Sequence, residues 1–266
     1  MRGVIDAETI KQFIKDIPLN IFDTSATLLM FKDDPRIASK VLNDIHRVLN
    51  ERERLLDLGC GYGYLTKLFM NLFRFREGYC IDLSEERLQV AKSLGLITYK
   101  LDLEKEKLPF PSNYFELVIM AGILNHLKFW DNILSEASRV LKRGCIAFIS
   151  VPNLGSWIDR LSLLLGYQPP SEEVSEIYSV GLPPFHPRRQ QISYVHSVTL
   201  KALKQLLKAY NFETLKVYGA RIPDIDLERK IQSRAIRALV RIVDRIFYRI
   251  PSLSVRVFVV ARAMVK

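Results

Sequence analysis

The sequence predicts an α/β fold, a doubly wound and mostly parallel sheet of seven strands with helices on both faces. From Arg54 onward short apolar runs alternate with helical patterns, which is the rhythm of crossover units. The first of these runs, RLLDL, passes directly into the glycine-rich GCGYG. The next two apolar runs, YCIDL and ITYKLDL, each carry an aspartate at their far end, so acidic residues recur along one predicted rim.

Ahead of the sheet, Ile37, Val41, Ile45, Val48 and Leu49 recur at three- and four-residue steps after the breaker Pro35, and residues 1–53 read as an N-terminal helical lid or flank. The remainder, 54–266, reads as the main domain. Its first strands are RLLDL, YCIDL, ITYKLDL, FELVIMAG and CIAFISV, separated by the helical segments YLTKLFMNLF, EERLQVAKSL and FWDNILSEASRVLK. Between 152 and 196 the rhythm breaks, and Pro169, Pro170, Pro183, Pro184 and Pro187 crowd among polar residues, so this stretch reads as an inserted lid segment. A helix (SVTLKALKQLLKAY), a strand (FETLKVYGAR), an amphipathic helix over 227–250 and a closing strand (SVRVFVVARA) follow. The short connections near the end suit a last strand that runs antiparallel to the others.

Composition narrows the function classes. With 266 residues, 48% of them hydrophobic, the chain can bury a sizeable core, and disorder is excluded. A formal charge of +10 favours anionic partners: nucleic acid, acidic lipid headgroups or phosphorylated substrates. Cys60, Cys80 and Cys145 all fall in apolar runs, which argues against a disulfide framework or a spaced metal site, so no metal is assigned and a reducing cytoplasm is expected. The N-terminal MRGVIDAETIKQFIKDIP has no apolar core of signal type, and no run is long enough to span a bilayer.

In an open parallel sheet, ligands bind beyond the carboxyl ends of the strands where strand order reverses, and the glycine turn occupies that place. Glycines there admit positive φ and close approach of a ligand to the backbone. The spacing is GxGxG, with Tyr64 where a dinucleotide fingerprint would place its third glycine, which counts against a pyrophosphate cofactor. Asp57 ends the first strand. Asp82, about 20 residues beyond the turn, is placed for a ribose diol, and Asp102 ends the third strand. The bland reading of either acid is a helix cap, but Ser84 is the better cap after Asp82.

The segments LLDLGCGYGYLTKLF, CIDLS, LDLEKEKLPFPSNYFELVIMAGILNHL and LKRGCIAFISVPN, over about Arg54 to Asn153, together resemble the class I S-adenosylmethionine-dependent methyltransferases of the ubiquinone-biosynthesis-like branch. The resemblance implies a Rossmann-like sheet with an antiparallel seventh strand and S-adenosylmethionine as cofactor. It further implies that Asp57, Gly59, Cys60, Gly61 and Gly63 surround the methionine part, Asp82 the ribose hydroxyls and Leu83 the adenine. Asp102 and Leu103 would meet the adenine amino edge and Gly122 the far wall. Relatives often read LEH where this chain has Leu124, Asn125 and His126, so the metal or proton chemistry some of them build on that glutamate does not carry over.

A sulfonium methyl is already activated, so the protein's task is to align the acceptor and exclude water. An oxygen acceptor gains from a general base, for which His126, His196 and His186 are the candidates, with Tyr194 a weaker one. In the 227–250 helix, Lys230, Arg234, Arg237, Arg241 and Arg245 gather on one side of a broad apolar face. That pattern fits a helix packed on its own sheet, or one lying on an anionic membrane surface, ahead of nucleic acid. NLGSWIDRLSLLLGYQPP also resembles methyltransferases of glycan and lipid-linked assembly, which points to a small-molecule, glycan or lipid-linked hydroxyl. The expectation is a cytoplasmic enzyme with peripheral contact at the inner membrane surface. An RNA or protein methyltransferase and a non-catalytic S-adenosylmethionine-binding protein are the alternatives. A nicotinamide dehydrogenase is disfavoured by Tyr64.

Overall fold

The computed structural model describes residues 4–18, 25–172, 194–224 and 233–264, with short stretches between 174 and 183 and at 227, 228 and 231. Three helices come first: α1 (Ala7–Lys15), α2 (Ala26–Asp33) and α3 (Pro35–Val48). The alternating part follows as β1 (Arg54–Leu58), α4 (Tyr64–Phe73), β2 (Glu77–Asp82), α5 (Glu85–Ser93), β3 (Ile97–Lys100), β4 (Phe115–Ala121), α6 (Asp131–Val140) and β5 (Leu141–Pro152). The chain closes with α7 (Trp157–Leu164), α8 (Leu200–Ala209), β6 (Phe212–Ala220), α9 (Arg234–Phe247) and β7 (Arg256–Ala263).

The strands form one seven-stranded sheet in the order β3-β2-β1-β4-β5-β7-β6. Pairings from β3 across to β5 are parallel, and β7 runs antiparallel between β5 and β6, as the sequence predicted for the last strand. Strand order therefore reverses between β1 and β4, and the turn after β1 lies at that switch point.

The side-chain period of two sends alternate residues of each strand to opposite faces. On one face, Phe148 of β5 and Phe258 of β7 meet Phe31 of α2 and Phe69 of α4 in a ring cluster with centroids 5.3 to 6.4 Å apart. Ala38, Val41, Leu42 and Ile45 of α3 are fully buried in the same cluster, so the N-terminal helices form part of the sheet's covering layer. On the other face, Ala147, Ile149 and Val151 pack with Ile133, Leu134 and Ala137 of α6 and with Leu203 and Leu207 of α8. Each fully buried valine, leucine, isoleucine or phenylalanine among these contributes roughly 1.5–3 kcal/mol.

Helix starts follow local chemistry. Asp34 caps α3 ahead of Pro35, and Ser84 caps α5 by accepting from the Arg87 N–H. Thr199 caps α8, and the nearby Ser197 hydroxyl donates to the Ser171 carbonyl at 2.6 Å. The helix expected over 227–250 is shorter: Ile231 and Ser233 are not helical, and Ser233 caps α9, which ends at Phe247. A capping serine with a free hydroxyl satisfies the first orphan N–H groups and so starts a new helix where continuous periodicity alone suggests none. Strand β3 likewise stops at Lys100, because Asp102, Glu104, Lys105 and Glu106 close a hydrogen-bonded turn on themselves.

Candidate functional site

The turn after β1 is built from three glycines at positive φ, and each has a different reason. Gly59 (φ +75°) passes so close to Ile123 that an added Cβ would lie 2.6 Å from it, and Gly63 (φ +79°) packs as closely on Leu96 and Ala91. Gly61 (φ +56°) has nothing within 4 Å of where a Cβ would project. Two of the glycines thus let the chain fold against itself, and the third opens the turn to a ligand. The Gly59 and Cys60 N–H groups both donate to the Ile81 carbonyl, at 2.8 and 3.0 Å, which ties the turn to the end of β2.

Asp82 completes this edge. One carboxylate oxygen accepts the Gly61 N–H and the other the Ser84 N–H, both at 2.9 Å, and the residue is 8% exposed. The carboxylate is fixed between the open glycine and the start of α5, with acceptor capacity left for a diol. Leu83 beside it is 66% exposed, an apolar surface that the fold itself does not use.

The other residues singled out from sequence are placed differently. Asp57 is buried beneath the turn, where it accepts the Thr66 hydroxyl at 2.6 Å, and burial pushes its carboxyl pKa up to about 7. The Cys60 thiol turns into the small cluster of Cys80, Leu88, Ala91 and Leu96, and burial raises its pKa. Asp102 binds the Lys105 ammonium at 2.8 Å and the Glu104 N–H at 3.0 Å, which hold its carboxyl below the usual range. Leu103 is buried in the core. Gly122 (φ +86°) directly follows β4, and its N–H donates to the Ser150 carbonyl.

His126 closes a short 3-10 turn, Leu124–His126, at the same rim; it is exposed, with its ring 5.4 Å from that of Tyr194 and edge-on to it. His196 is exposed, and His186 lies outside the described residues. The strand periodicity concealed one further group. Arg256, the first residue of β7, is 3% exposed and donates to Ser150 Oγ and to the Tyr194 hydroxyl. Its sequence signal was an arginine sharing the parity of Phe258 and Val260, which face the core.

A parallel sheet with a glycine turn at its switch point and a fixed acid at the next strand end defines a nucleoside-binding α/β protein. Comparison with known proteins narrows this further. Residues 56–149 match the family model described as a methyltransferase domain. The ubiquinone/menaquinone biosynthesis C-methyltransferase UbiE of Burkholderia mallei is 36% identical over 96 residues, 34% of this chain and 40% of that protein. The chain thus matches about two fifths of the length of such curated relatives. Among solved structures, a SAM-dependent methyltransferase from Archaeoglobus fulgidus superposes with a TM-score of 0.55 at 18% identity, covering 85% of this chain and 93% of that one. An S-adenosylmethionine-dependent methyltransferase from Mesorhizobium loti gives 0.56 at 18%, covering 84% and 96%. These two show the fold. Residues 56–149 thus match a methyltransferase domain, set in a fold shared with S-adenosylmethionine-dependent methyltransferases.

Proposed function

We infer that the protein transfers a methyl group from S-adenosylmethionine to a small-molecule, glycan or lipid-linked acceptor at a hydroxyl oxygen. The observation that carries this reading is the Asp82 carboxylate, fixed by the Gly61 and Ser84 N–H groups beside a glycine whose open side a Cβ would fill. S-adenosylmethionine, when bound, supplies a sulfonium methyl that needs no nucleophilic residue from the protein. Asp82 would hold its ribose, the turn from Gly59 to Gly63 its methionine part, and Leu83 its adenine. Asp102, with a partly exposed carboxylate at the same rim, is the remaining polar contact for the base. His126, exposed at the end of β4, takes the acceptor's proton. Gly122 keeps the wall behind the acceptor free of a side chain.

Calorimetric titration tests this. S-adenosylhomocysteine is expected to bind, and NADH is not. Asp82→Ala is expected to weaken S-adenosylhomocysteine by roughly tenfold or more, the worth of a charge-assisted hydrogen bond. Binding unchanged in Asp82→Ala would sink the reading. A screen of acceptor classes with labelled methyl donor then identifies the acceptor. Carbon is the second reading of the acceptor atom, favoured by the C-methyltransferase name of the relative that matches 96 residues. Loss of activity in His126→Ala that a higher pH partly restores favours oxygen, because deprotonation of the hydroxyl by solvent replaces the lost base.

No described helix is long and apolar enough to cross a membrane. Helix α9, however, exposes Leu239, Ile242 and Ile246 at 57 to 61% while Val240 and Asp244 are buried on its opposite side. Exposed Arg234 and Arg245 flank this ridge. An exposed apolar ridge bordered by arginines supports peripheral contact with an anionic membrane surface.

A further inference from the structure

Strand β7 runs against its neighbours, so its first residue lies at the rim where the parallel strands end. Arg256 pairs with Pro152 on β5 and with Ala220 on β6, the last residue of each. Its guanidinium is buried there, yet its partners are neutral: Nη1 donates to Ser150 Oγ at 3.3 Å and Nη2 to the Tyr194 hydroxyl at 3.1 Å. Ser150 Oγ in turn accepts from Thr27 Oγ1 at 2.8 Å. Among the described residues no carboxylate pairs with Arg256. By contrast, the partly buried Arg139 grips Glu136, and Lys142 bridges Glu51 and Glu116.

A buried cation without an anion is unfavourable, because hydroxyl dipoles replace only part of the water it has lost. Arg256 sits beside the candidate methyl-transfer position: its Nη1 is 3.8 Å from where a Cβ on Gly122 would be. The Tyr194 that it binds also carries the His126 ring against its own. A second unmet polar group lies in the same wall. Asn125 is 1% exposed and neither its amide nitrogen nor its amide oxygen has a partner among the described residues, while its carbonyl accepts the N–H of Val195, next to Tyr194.

We propose that Arg256 is the receptor for an oxyanion on the methyl acceptor, a carboxylate or a phosphoryl group, and so fixes which atom of the acceptor faces His126. The proposal rests on the methyltransferase reading and deepens it. A planar guanidinium offers paired N–H donors to either oxyanion, and the incoming charge supplies the counter-ion that the described residues do not. Ser150 and Tyr194 hold the guanidinium flat while leaving donors for the ligand, and Asn125 offers an amide for a neighbouring polar group. The acceptor is therefore an acid or a phosphorylated molecule, not a neutral sugar or alcohol.

The test uses the full chain saturated with S-adenosylhomocysteine. Its melting temperature is followed against inorganic phosphate in one arm and benzoate in another, each compared with sodium chloride at equal ionic strength. At least one oxyanion is expected to raise the melting temperature of the wild type, with the responding arm giving the oxyanion type. Arg256→Met is expected to need about tenfold more of that anion, or to lose the response, and Arg256→Lys to keep part of it. S-adenosylhomocysteine affinity should stay within about twofold in both variants. No response of the wild-type complex to either anion, or an equal response in Arg256→Met, overturns the proposal. Should Arg256→Met fail to fold, an undiminished response in Arg256→Lys overturns it too, because an ammonium cannot reproduce the paired donors. Failure of the wild type to bind S-adenosylhomocysteine at all would instead remove the underlying reading.

Discussion

Thr66 donates its hydroxyl to the Asp57 carboxylate at 2.6 Å, at a place where both side chains are cut off from solvent. One hydrogen bond does not offset the lost hydration of a full charge. Burial therefore dominates, the Asp82 charge adds to it, and the Asp57 pKa rises to about 7.

That rise fixes the sign of a pH effect. In the unfolded chain Asp57 titrates near the ordinary carboxyl value of about 3.9. Its folded pKa is higher, so between roughly pH 4 and 7 the folded state binds the extra proton. The stability Asp57 contributes is complete below that window and is lost as pH rises through it, by up to about 1.4 kcal/mol per pH unit. Asp57→Asn removes the titration. Denaturant unfolding at several pH values should show the variant gaining on the wild type as pH increases from 5 to about 7. A constant gap between the two would contradict the burial of an ionisable Asp57.

The glycines separate folding from ligand binding. Alanine at Gly59 meets Ile123 at 2.6 Å as well as positive φ, so Gly59→Ala should lose roughly 2–4 kcal/mol of stability. Alanine at Gly61 meets open space, so Gly61→Ala should lose only about 1–2 kcal/mol, from backbone strain. Its methyl group fills the open side of the turn, however, and S-adenosylhomocysteine affinity should fall by about tenfold or more. Urea melts and calorimetry check the two halves separately.

This division marks how far the sequence could be read. The sheet was legible because strands buried on both faces leave continuous apolar runs, and the switch point because only glycine suits its backbone. Which glycine serves packing and which faces outward depends on Ile123, Leu96 and Ala91, and nothing in GCGYG encodes those neighbours. Asp57 and Asp82 look alike as strand-end acids, yet one is sealed beneath Thr66 and the other is held at the rim by two N–H groups. The role of Arg256 is not legible in the spacing, because it depends on its neutral three-dimensional neighbours, Ser150 and Tyr194. The 227–250 periodicity was real but could not reveal the break at Ser233, where a cap outweighs a continuous pattern.

Helix α9 docks through the buried acid Asp244 beside an apolar cluster that joins Val240 to Trp157, Ile158 and Leu227. Asp244 accepts the Trp157 Nε1–H at 3.1 Å and the Ile222 N–H at 2.9 Å, and the Trp157 ring stacks on Phe247. Removing the carboxylate leaves two buried donors unmet, so Asp244→Ala should cost about 2–4 kcal/mol. Asparagine keeps the shape and one acceptor oxygen, enough for one of the two donors, while its amide nitrogen faces the other. Asp244→Asn should therefore retain more stability than Asp244→Ala in thermal unfolding.

The outer side of the same helix gives the last prediction. Because Leu239, Ile242 and Ile246 are more than half exposed, exchanging them for serine removes apolar surface without opening a cavity. Leu239→Ser with Ile242→Ser should leave the melting temperature near that of the wild type. Each residue would bury roughly one or two kcal/mol of apolar transfer energy in a lipid interface, so the double variant should bind vesicles at least about tenfold more weakly. Arg245→Gln should reduce binding by a smaller factor, since one basic residue near an anionic surface is worth about 1 kcal/mol. Sedimentation with vesicles of mixed anionic and zwitterionic lipid, against purely zwitterionic ones, reads both effects. Added salt should suppress the arginine contribution and spare the leucine and isoleucine one, because screening acts on charge alone. Equal sedimentation of wild type and double variant with anionic vesicles would mean that the α9 ridge does not carry the contact.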